Sequence, residues 1–333
     1  MKVLFPLVGD SIGGSHWSVI ELCRELKKIG VDVLIVIHKS DGKLSSFFKD
    51  NDISFVVFPI QKLAGESPSI FKIIFGMLTN FYKIYSFIKI NKCDIVHGND
   101  LRINLTWSLP AIFAKQKFIW HQRTILSSSI FWYMIPLLST HFISISNFAM
   151  NTAPKIIKPV KKSLILNPFD TSFLYDYEVT NQLLKKKYKL DSKSKLIGYV
   201  GRIQPYKNIS FLLEAFASLF HLNDLNIKLL VIGDGSSSYI NELKMLAENL
   251  NIKKNVIFCG FYANPMEAIA ALDILVAPST IDAFGRTLVE AMLQNTPIIA
   301  ANHAGHSEII NDGFIDFHYE HGDTKSLISG MST

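Results

Sequence analysis

Short apolar runs that end in glycine-containing turns recur along this chain, and segments of helical periodicity separate them. Two such runs are residues 229–232, which precede a Gly-Asp-Gly turn, and residues 256–258. Strands that are apolar along their whole length are typical of parallel sheets with helices on both faces. The pattern therefore predicts an α/β fold. Because 333 residues exceed one ordinary core, we predict two doubly wound, Rossmann-like domains, residues 1–167 and 168–333.

Two acidic residues stand eight positions apart around a Phe-Gly turn. Asp282 and Glu290 bracket Phe284 and Gly285, and an apolar run over residues 275–277 comes before them. This order predicts a buried strand, a turn and a helix start, which would place backbone N–H groups and both acids at the carboxyl end of a parallel sheet. Taken alone, Asp282 is more typical of a helix N-cap or first-turn acid, and Glu290 of a solvated helix face.

Two cations follow another apolar run. Gly201 ends residues 198–200, Arg202 comes next, and Lys207 follows five residues later. A diphosphate suits such groups, because arginine offers a planar fork of donors and lysine a mobile point charge. A single glycine turn is typical of a structural loop, so the significance of these motifs lies in their order over residues 198–310.

As a set, these motifs resemble glycosyltransferase family 4, the retaining group 1 enzymes of GT-B fold, whose signature is two glutamates separated by seven residues. Asp282 departs from that signature by one methylene. The resemblance implies two domains that face a central cleft and chemistry without a metal or another cofactor. It implies these donor-site residues: Arg202 and Lys207 on the diphosphate, Gly260 near the base, Asp282 on the transferred sugar, Phe284, Gly285 and Arg286 as backbone donors, and Glu290 on the ribose.

The first half opens with a βαβ unit whose first crossing is rich in glycine. Gly13 and Gly14 precede a helix predicted from about Trp17 to Ile29, and Gly30 is expected to end that helix. The spacing is not GxGxxG, which argues against a nicotinamide enzyme. The resemblance implies that both glycines lie near the phosphate and sugar of the donor. A tight turn without a ligand is the alternative.

A histidine ends one predicted strand of the first half. His121 follows residues 118–120, and the resemblance implies a catalytic position for it, facing the transferred sugar. A lone histidine after an apolar strand is also typical of a side chain satisfied within the fold. His97 stands at the end of another predicted strand, and the case for a functional role is weaker for it than for His121.

Charge divides at the predicted boundary. Residues 1–167 carry 20 Lys and Arg against 10 Asp and Glu, a net charge of +10; residues 168–333 carry 14 against 18, a net charge of −4, and the two sum to +6. A basic surface attracts anionic lipid head groups. Residues 70–89 interleave aromatic residues and lysines, which favours either an interfacial helix or an ordinary amphipathic helix. We expect peripheral contact with an anionic membrane and no nucleic-acid partner.

The start of the chain and its cysteines favour a cytoplasmic protein. Met1 and Lys2 lead directly into a predicted strand, without a secretory cleavage site. Cys23, Cys93 and Cys259 lie in apolar segments, which is typical of buried thiols in a reducing compartment.

The carboxy-terminal region departs from the family pattern at two places. Asn295 stands where the family usually has glycine, and asparagine tolerates the left-handed backbone that such a turn needs. Residues 324–328 predict the start of a helix, and the closing helix that the family packs on its amino-terminal domain is expected to be absent.

Together the motifs predict a retaining glycosyltransferase. It would move a sugar from a UDP- or GDP-sugar to a saccharide acceptor, expected to be lipid-linked, in the synthesis of bacterial surface polysaccharide or lipopolysaccharide. One alternative is an inactive or regulatory nucleotide-sugar-binding GT-B protein, which Asp282 and the short carboxyl end favour. Another is a GT-B nucleotide-sugar epimerase, which breaks the same bond without a sugar acceptor.

Overall fold

The computed structural model of the chain describes residues 1–9, 12–60, 70–126, 135–222, 225–311 and 318–332. Backbone contacts divide the chain into two compact units, Met1–Phe169 and Asp170–Thr333. This division falls two residues after the boundary predicted from the sequence.

The first unit is built on a seven-stranded parallel sheet with the order β3-β2-β1-β4-β5-β6-β7. Its strands are β1 (Lys2–Leu7), β2 (Asp32–Ile37), β3 (Val56–Val57), β4 (Ile95–Gly98), β5 (Lys117–Gln122), β6 (His141–Ser144) and β7 (Lys162–Leu164). Its helices are α1 (Gly14–Lys28), α2 (Lys43–Asp50), α3 (Ile70–Ile90), α4 (Leu101–Phe113) and α5 (Asn147–Asn151).

The second unit has a six-stranded parallel sheet with the order β10-β9-β8-β11-β12-β13. Its strands are β8 (Lys195–Val200), β9 (Ile227–Ile232), β10 (Val256–Gly260), β11 (Ile274–Ala277), β12 (Ile298–Asn302) and β13 (His318–Glu320). Its helices are α6 (Tyr177–Lys187), α7 (Ile209–Leu222), α8 (Ser237–Asn249), α9 (Pro265–Ala270), α10 (Arg286–Leu293), α11 (His306–Asn311) and α12 (Thr324–Ser332). Both sheets are doubly wound, so the predicted α/β class is confirmed.

The first helix begins three residues earlier than the sequence predicts. Gly13 is its N-cap, and the Nδ1 atom of His16 accepts a hydrogen bond from the Gly13 N–H at 3.1 Å. A ring nitrogen thus satisfies a donor at the helix start. Gly30 adopts φ = 77°, so its predicted role in ending the helix is confirmed.

Buried apolar side chains of each sheet pack against helices of the same unit. In the first unit, Trp107 of α4 packs with Phe118 and Trp120 of β5. In the second unit, Phe216 of α7 lies in the core with Leu229 of β9. These cores explain why the strand sequences are apolar along their length.

Helix α12 packs on the second unit itself. Leu327 and Met331 lie in the same core cluster as Phe216 of α7. The segment predicted as a helix start is therefore a nine-residue helix with its own buried face. The turn before β12 also has its predicted backbone, since Asn295 adopts φ = 55°.

Burial of the cysteines follows their apolar contexts. Cys23 and Cys93 are buried, Cys259 is partly buried, and all three are free thiols. Desolvation raises the pKa of Cys23 to about 12 and that of Cys93 to about 11. Among the helices that the structure describes, none combines the length and apolar character needed to cross a bilayer.

Candidate functional site

The central strands of the second sheet, β8 and β11, form a topological switch point. β9 and β10 extend the sheet on one side of β8, whereas β11, β12 and β13 extend it on the other side. Loops that leave the carboxyl ends of two such strands diverge and bound a crevice where open α/β sheets bind ligands. Arg202 and Lys207 follow β8, and Asp282 follows β11.

Two glycine turns lie against each other at the ends of β8 and β9. Gly201 and Gly233 adopt φ = 155° and 148°, a region that side chains rarely enter. A Cβ atom on Gly233 would lie 1.7 Å from the carbonyl oxygen of Gly201. The Tyr199 hydroxyl donates to the carbonyl of Arg202 at 2.7 Å, which fixes the turn that carries the arginine.

Lys207 and Asp282 form a bidentate ion pair across the switch point. The Lys207 Nζ atom lies 2.8 Å from Oδ1 and 2.6 Å from Oδ2 of Asp282. Their side chains are only 17% and 22% exposed, so the pair is largely withdrawn from solvent. The two loops are also joined by the backbone, because the N–H of Thr280 donates to the carbonyl of Tyr206 at 2.9 Å.

A buried histidine lies behind this pair, and the sequence analysis did not predict it. The Nε2 atom of His306 is 3.2 Å from Oδ2 of Asp282. No described residue gives either ring nitrogen a hydrogen bond of regular geometry. Gly285 and Gly305 make room for the loop, since a Cβ atom on Gly285 would lie 2.6 Å from the His306 ring. The available signal was a histidine next to Gly305, at the start of α11.

The environment keeps Asp282 ionised. Burial by itself would raise the pKa of its carboxyl, but the Lys207 ammonium and the neighbouring His306 together hold the pKa well below its usual range. A charged acceptor is therefore present at the site throughout the neutral range.

The second acid of the motif has a different environment. Glu290 is 5% exposed and accepts a hydrogen bond from Nε of Arg286 at 3.1 Å, one turn earlier in α10. Burial raises the pKa of Glu290, and the Arg286 guanidinium opposes that rise. Gly285 is the N-cap of α10 with φ = 104°, and no side chain caps the helix start.

The remaining predicted donor residues are distributed along the same edge of the second sheet. Arg202 is exposed and forms no ion pair with any residue that the structure describes. Gly260 ends β10 with φ = 73°, and its carbonyl accepts from the N–H of Gly233 at 2.9 Å. Phe284 is buried. The structure thus joins Lys207 with Asp282 and Arg286 with Glu290.

In the first unit, the predicted residues lie at the carboxyl ends of the central strands. Gly13 and Gly14 are at the start of α1, directly after the β1 loop. His121 lies in β5 and His97 in the adjacent β4, and Nε2 of His97 is 3.2 Å from Nδ1 of His121. Both side chains are 5% exposed.

A polar network surrounds the two histidines. Arg123 donates from Nε to Oδ1 of Asn99 at 2.9 Å and from Nη1 to Oδ1 of Asn167 at 2.7 Å. The Ser18 hydroxyl also donates to Oδ1 of Asn167, at 3.1 Å. Arg123 was not predicted from the sequence, because its position two residues after His121 carries no recognisable pattern.

Groups of three or more His, Cys, Asp and Glu side chains arranged to hold a metal ion do not occur among the described residues. Metal-free chemistry stays a prediction, as do the individual roles of the site residues.

Relatives of known name match this chain. N-acetyl-alpha-D-glucosaminyl L-malate synthase of Bacillus anthracis is 28% identical over 185 residues, which are 55% of this chain and 47% of that protein. The match thus spans about half the length of this relative. UDP-Gal:alpha-D-GlcNAc-diphosphoundecaprenol alpha-1,3-galactosyltransferase of Escherichia coli is 24% identical over 312 residues, 89% of this chain and 78% of that protein.

A solved structure and a family pattern complete the comparison. HepE of Anabaena, in complex with UDP-glucose, superposes with a TM-score of 0.83 at 21% identity, covering 100% of this chain and 89% of that one. This likeness confirms the GT-B fold. Residues 180–332 match the family described as glycosyl transferases group 1. This region therefore belongs to the group 1 glycosyl transferases, as its motifs predicted.

Proposed function

We propose that the chain is a retaining glycosyltransferase that moves a sugar from a nucleoside diphosphate sugar to a saccharide acceptor. The observation that carries the proposal is the Lys207–Asp282 ion pair at the switch point of the second sheet, within the region that matches the family. At this position the Lys207 ammonium could bind the diphosphate of such a donor, and the Asp282 carboxylate could accept hydrogen bonds from the hydroxyls of its sugar.

The names of the relatives favour a UDP-sugar and a lipid-linked acceptor. The Escherichia coli relative uses UDP-Gal and a diphosphoundecaprenol acceptor, and HepE was solved with UDP-glucose. We extend these chemistries to this chain as part of the proposal. A lipid-linked saccharide of a bacterial surface polysaccharide or lipopolysaccharide is the acceptor class.

The charges of the site fit departure of a diphosphate. Lys207 has three N–H donors, and its two contacts with Asp282 leave one for a phosphate oxygen. Exposed Arg202 supplies the second cation at the end of β8. Both would stabilise the negative charge that develops as the bond from the sugar C1 to the phosphate oxygen breaks.

The acceptor hydroxyl forms the new bond to C1 on the face from which the diphosphate departs. Its proton passes to the departing phosphate oxygen, so the step needs no separate base. Asp282 would accept a hydrogen bond from a hydroxyl of the transferred sugar, and Glu290 from the ribose. We place no metal or other cofactor in this reaction.

Arg202→Ala provides the first test of this function. Purified protein is incubated with radiolabelled UDP-, GDP- or ADP-sugars and a lipid-linked saccharide, and label in the lipid fraction is counted. We expect transfer from one donor class, and a loss of about 10²–10³-fold in Arg202→Ala because one preorganised donor is removed. Arg24→Ala, which removes an exposed arginine of α1, is the control and should retain the parent rate.

Two outcomes would contradict the proposed function, and a third would contradict the role of Arg202. Tight binding of a nucleotide sugar without turnover would favour an inactive or regulatory protein. Release of free sugar or of an isomerised donor, with the acceptor unmodified, would favour an epimerase. Equal rates for Arg202→Ala and the parent would remove Arg202 from the site.

Helix α3 supports contact of the first unit with an anionic membrane. Phe71, Phe75, Leu78 and Tyr82 are each at least 65% exposed, and their spacing of three or four residues puts them on one face. The opposite face is buried in the core through residues such as Ile84. The helix thus packs on its unit and also presents a second apolar face.

Charge favours an anionic lipid surface as the occupant of that exposed face. Residues 1–167 carry a net charge of +10, from 20 basic and 10 acidic residues. Apolar insertion and attraction to anionic head groups act together in interfacial helices. Peripheral attachment to the cytoplasmic face of the membrane is the localisation that we propose.

The double substitution Phe75→Ser/Leu78→Ser should weaken vesicle binding at least about tenfold, since each buried side chain contributes about 1.5–3 kcal/mol. Co-sedimentation with phosphatidylglycerol vesicles measures the binding, and Ile29→Ser, at an exposed residue directly after α1, is the control. Binding of the parent should also fall as salt screens its charges. Unchanged vesicle binding by the double variant would exclude α3 as the membrane contact.

A further inference from the structure

The two histidines of the first unit meet edge to edge. β4 and β5 are neighbouring parallel strands, with His97 opposite Ile119 in the register. The planes of the His97 and His121 rings differ by only 16°, with centroids 5.3 Å apart. With 3.2 Å between Nε2 of His97 and Nδ1 of His121, the arrangement is that of an in-plane N–H···N hydrogen bond.

The position of Arg123 shows the direction of this hydrogen bond. Its Nη2 atom lies 3.4 Å from Nδ1 of His121, and a guanidinium can only donate. Nδ1 of His121 is therefore an acceptor, so the proton of the neutral ring is on Nε2. His97 must then be the donor through its own Nε2–H.

Both rings are neutral. Burial, with a further contribution from Arg123, lowers the pKa of His97 to about 3. Burial, Arg123 and His97 together hold the pKa of His121 well below its ordinary value. A neutral histidine has one donor and one acceptor, so a fixed acceptor leaves a fixed donor.

The donor that remains on His121, its Nε2–H group, is buried and has no hydrogen-bond partner among the described residues. The same holds for side-chain atoms of Ser108, Asn167, His306 and Tyr319. His38, by contrast, has partners at both nitrogens: Nε2 accepts from the Trp107 indole at 3.2 Å, and Nδ1 lies 2.9 Å from the Phe58 carbonyl. A buried donor without a partner is costly to a fold, which points to a ligand that satisfies it.

We propose that His97 is a positioning residue, whose Nε2–H holds His121 in the Nε2–H tautomer so that His121 presents one neutral donor to an oxygen atom of a ligand. A hydroxyl or ether oxygen of a saccharide is the matching acceptor chemistry. The effect on sugar transfer rests on the proposed function, whereas the tautomer of His121 does not.

The test reads the tautomers directly. Protein labelled with ¹⁵N at histidine is examined by long-range ¹H–¹⁵N correlation, and the signals of His121 are assigned by their loss in His121→Asn. We expect the Nε2–H pattern for His121 in the parent. His38 is the internal reference, because the indole donor and the carbonyl acceptor require the opposite, Nδ1–H, tautomer.

Two variants separate positioning from structural support. His97→Phe keeps a ring but has no donor, which leaves Nδ1 of His121 with the longer, 3.4 Å contact from Arg123. We therefore expect His121 to lose its single Nε2–H pattern, through partial population of the Nδ1–H tautomer, while His38 is unchanged. His97→Gln keeps an N–H donor and should restore it. In the transfer assay, kcat of His97→Phe should fall about tenfold or more, as when a histidine loses the partner that sets its tautomer, with KM for the donor sugar nearly unchanged.

Each readout can overturn the proposal separately. An Nδ1–H pattern for His121 in the parent would contradict it even if His97→Phe did not fold. Retention of the Nε2–H pattern in folded His97→Phe would remove His97 from the role. Absence of transfer in the parent, with the predicted tautomers present, would contradict the proposed function and leave the positioning intact.

Discussion

Asp282→Asn is expected to lower the rate of sugar transfer by about two orders of magnitude, or about 2.7 kcal/mol of transition-state stabilisation. The amide removes a charged acceptor from the proposed sugar site. It also removes the carboxylate that holds Lys207 through two contacts of 2.8 and 2.6 Å. The rate and the affinity for the nucleoside diphosphate are measured on the same preparation.

Asp282→Glu is the matched control. It keeps the negative charge and restores the methylene by which this chain departs from the family, so its rate should stay within about tenfold, or 1.4 kcal/mol. Lys207→Met and the double variant with Asp282→Asn then form a thermodynamic cycle. Because the two side chains are in contact, their effects should not add. If Asp282→Asn transferred sugar at the parent rate, Asp282 would have no role in the reaction.

The pH dependence of the ion pair has a definite sign. The folded-state pKa of Asp282 is depressed by Lys207 and His306, which outweigh the opposing effect of burial. A depressed pKa gives stabilisation that is complete above the unfolded-state value and is lost as pH falls through the folded-state value. Asp282 should therefore cause no loss of activity or stability at neutral pH.

Gly233→Ala is expected to destabilise the second unit by about 3 kcal/mol or more. The new methyl group would meet the carbonyl oxygen of Gly201, to which the Cβ position is only 1.7 Å, and the residue would keep an unfavourable φ of 148°. The Gly201 oxygen belongs to the backbone, so no side chain can rotate away to relieve this contact. For a unit of this size, the midpoint of thermal unfolding should fall by about 6–12 °C.

Gly322→Ala separates backbone strain from collision. Gly322 also has a positive φ, of 85°, but no atom lies within 4 Å of its Cβ position. Strain alone should cost about 1 kcal/mol, or about 2–4 °C. Calorimetry of both variants measures the difference. Equal shifts for the two substitutions would show that the close approach of Gly233 to Gly201 is not a tight constraint.

The sequence by itself determined the fold class, the main turns and the family of residues 180–332. These features depend on local chemistry. Apolar runs predict buried strands, and a glycine or asparagine marks a backbone with positive φ, as at Gly30 and Asn295. The boundary between the units was placed within two residues of the division seen in the contacts.

Tertiary structure alone decided which side chains meet. Lys207 and Asp282 are 75 positions apart and His97 and His121 are 24 apart, and both pairs form where neighbouring strands bring their ends together. Local sequence carries no record of which strands become neighbours. His306 illustrates the same limit, because it reaches Asp282 only through the pairing of β11 with β12. Periodicity and turns are encoded locally, whereas contacts across a sheet depend on the strand order of the whole unit.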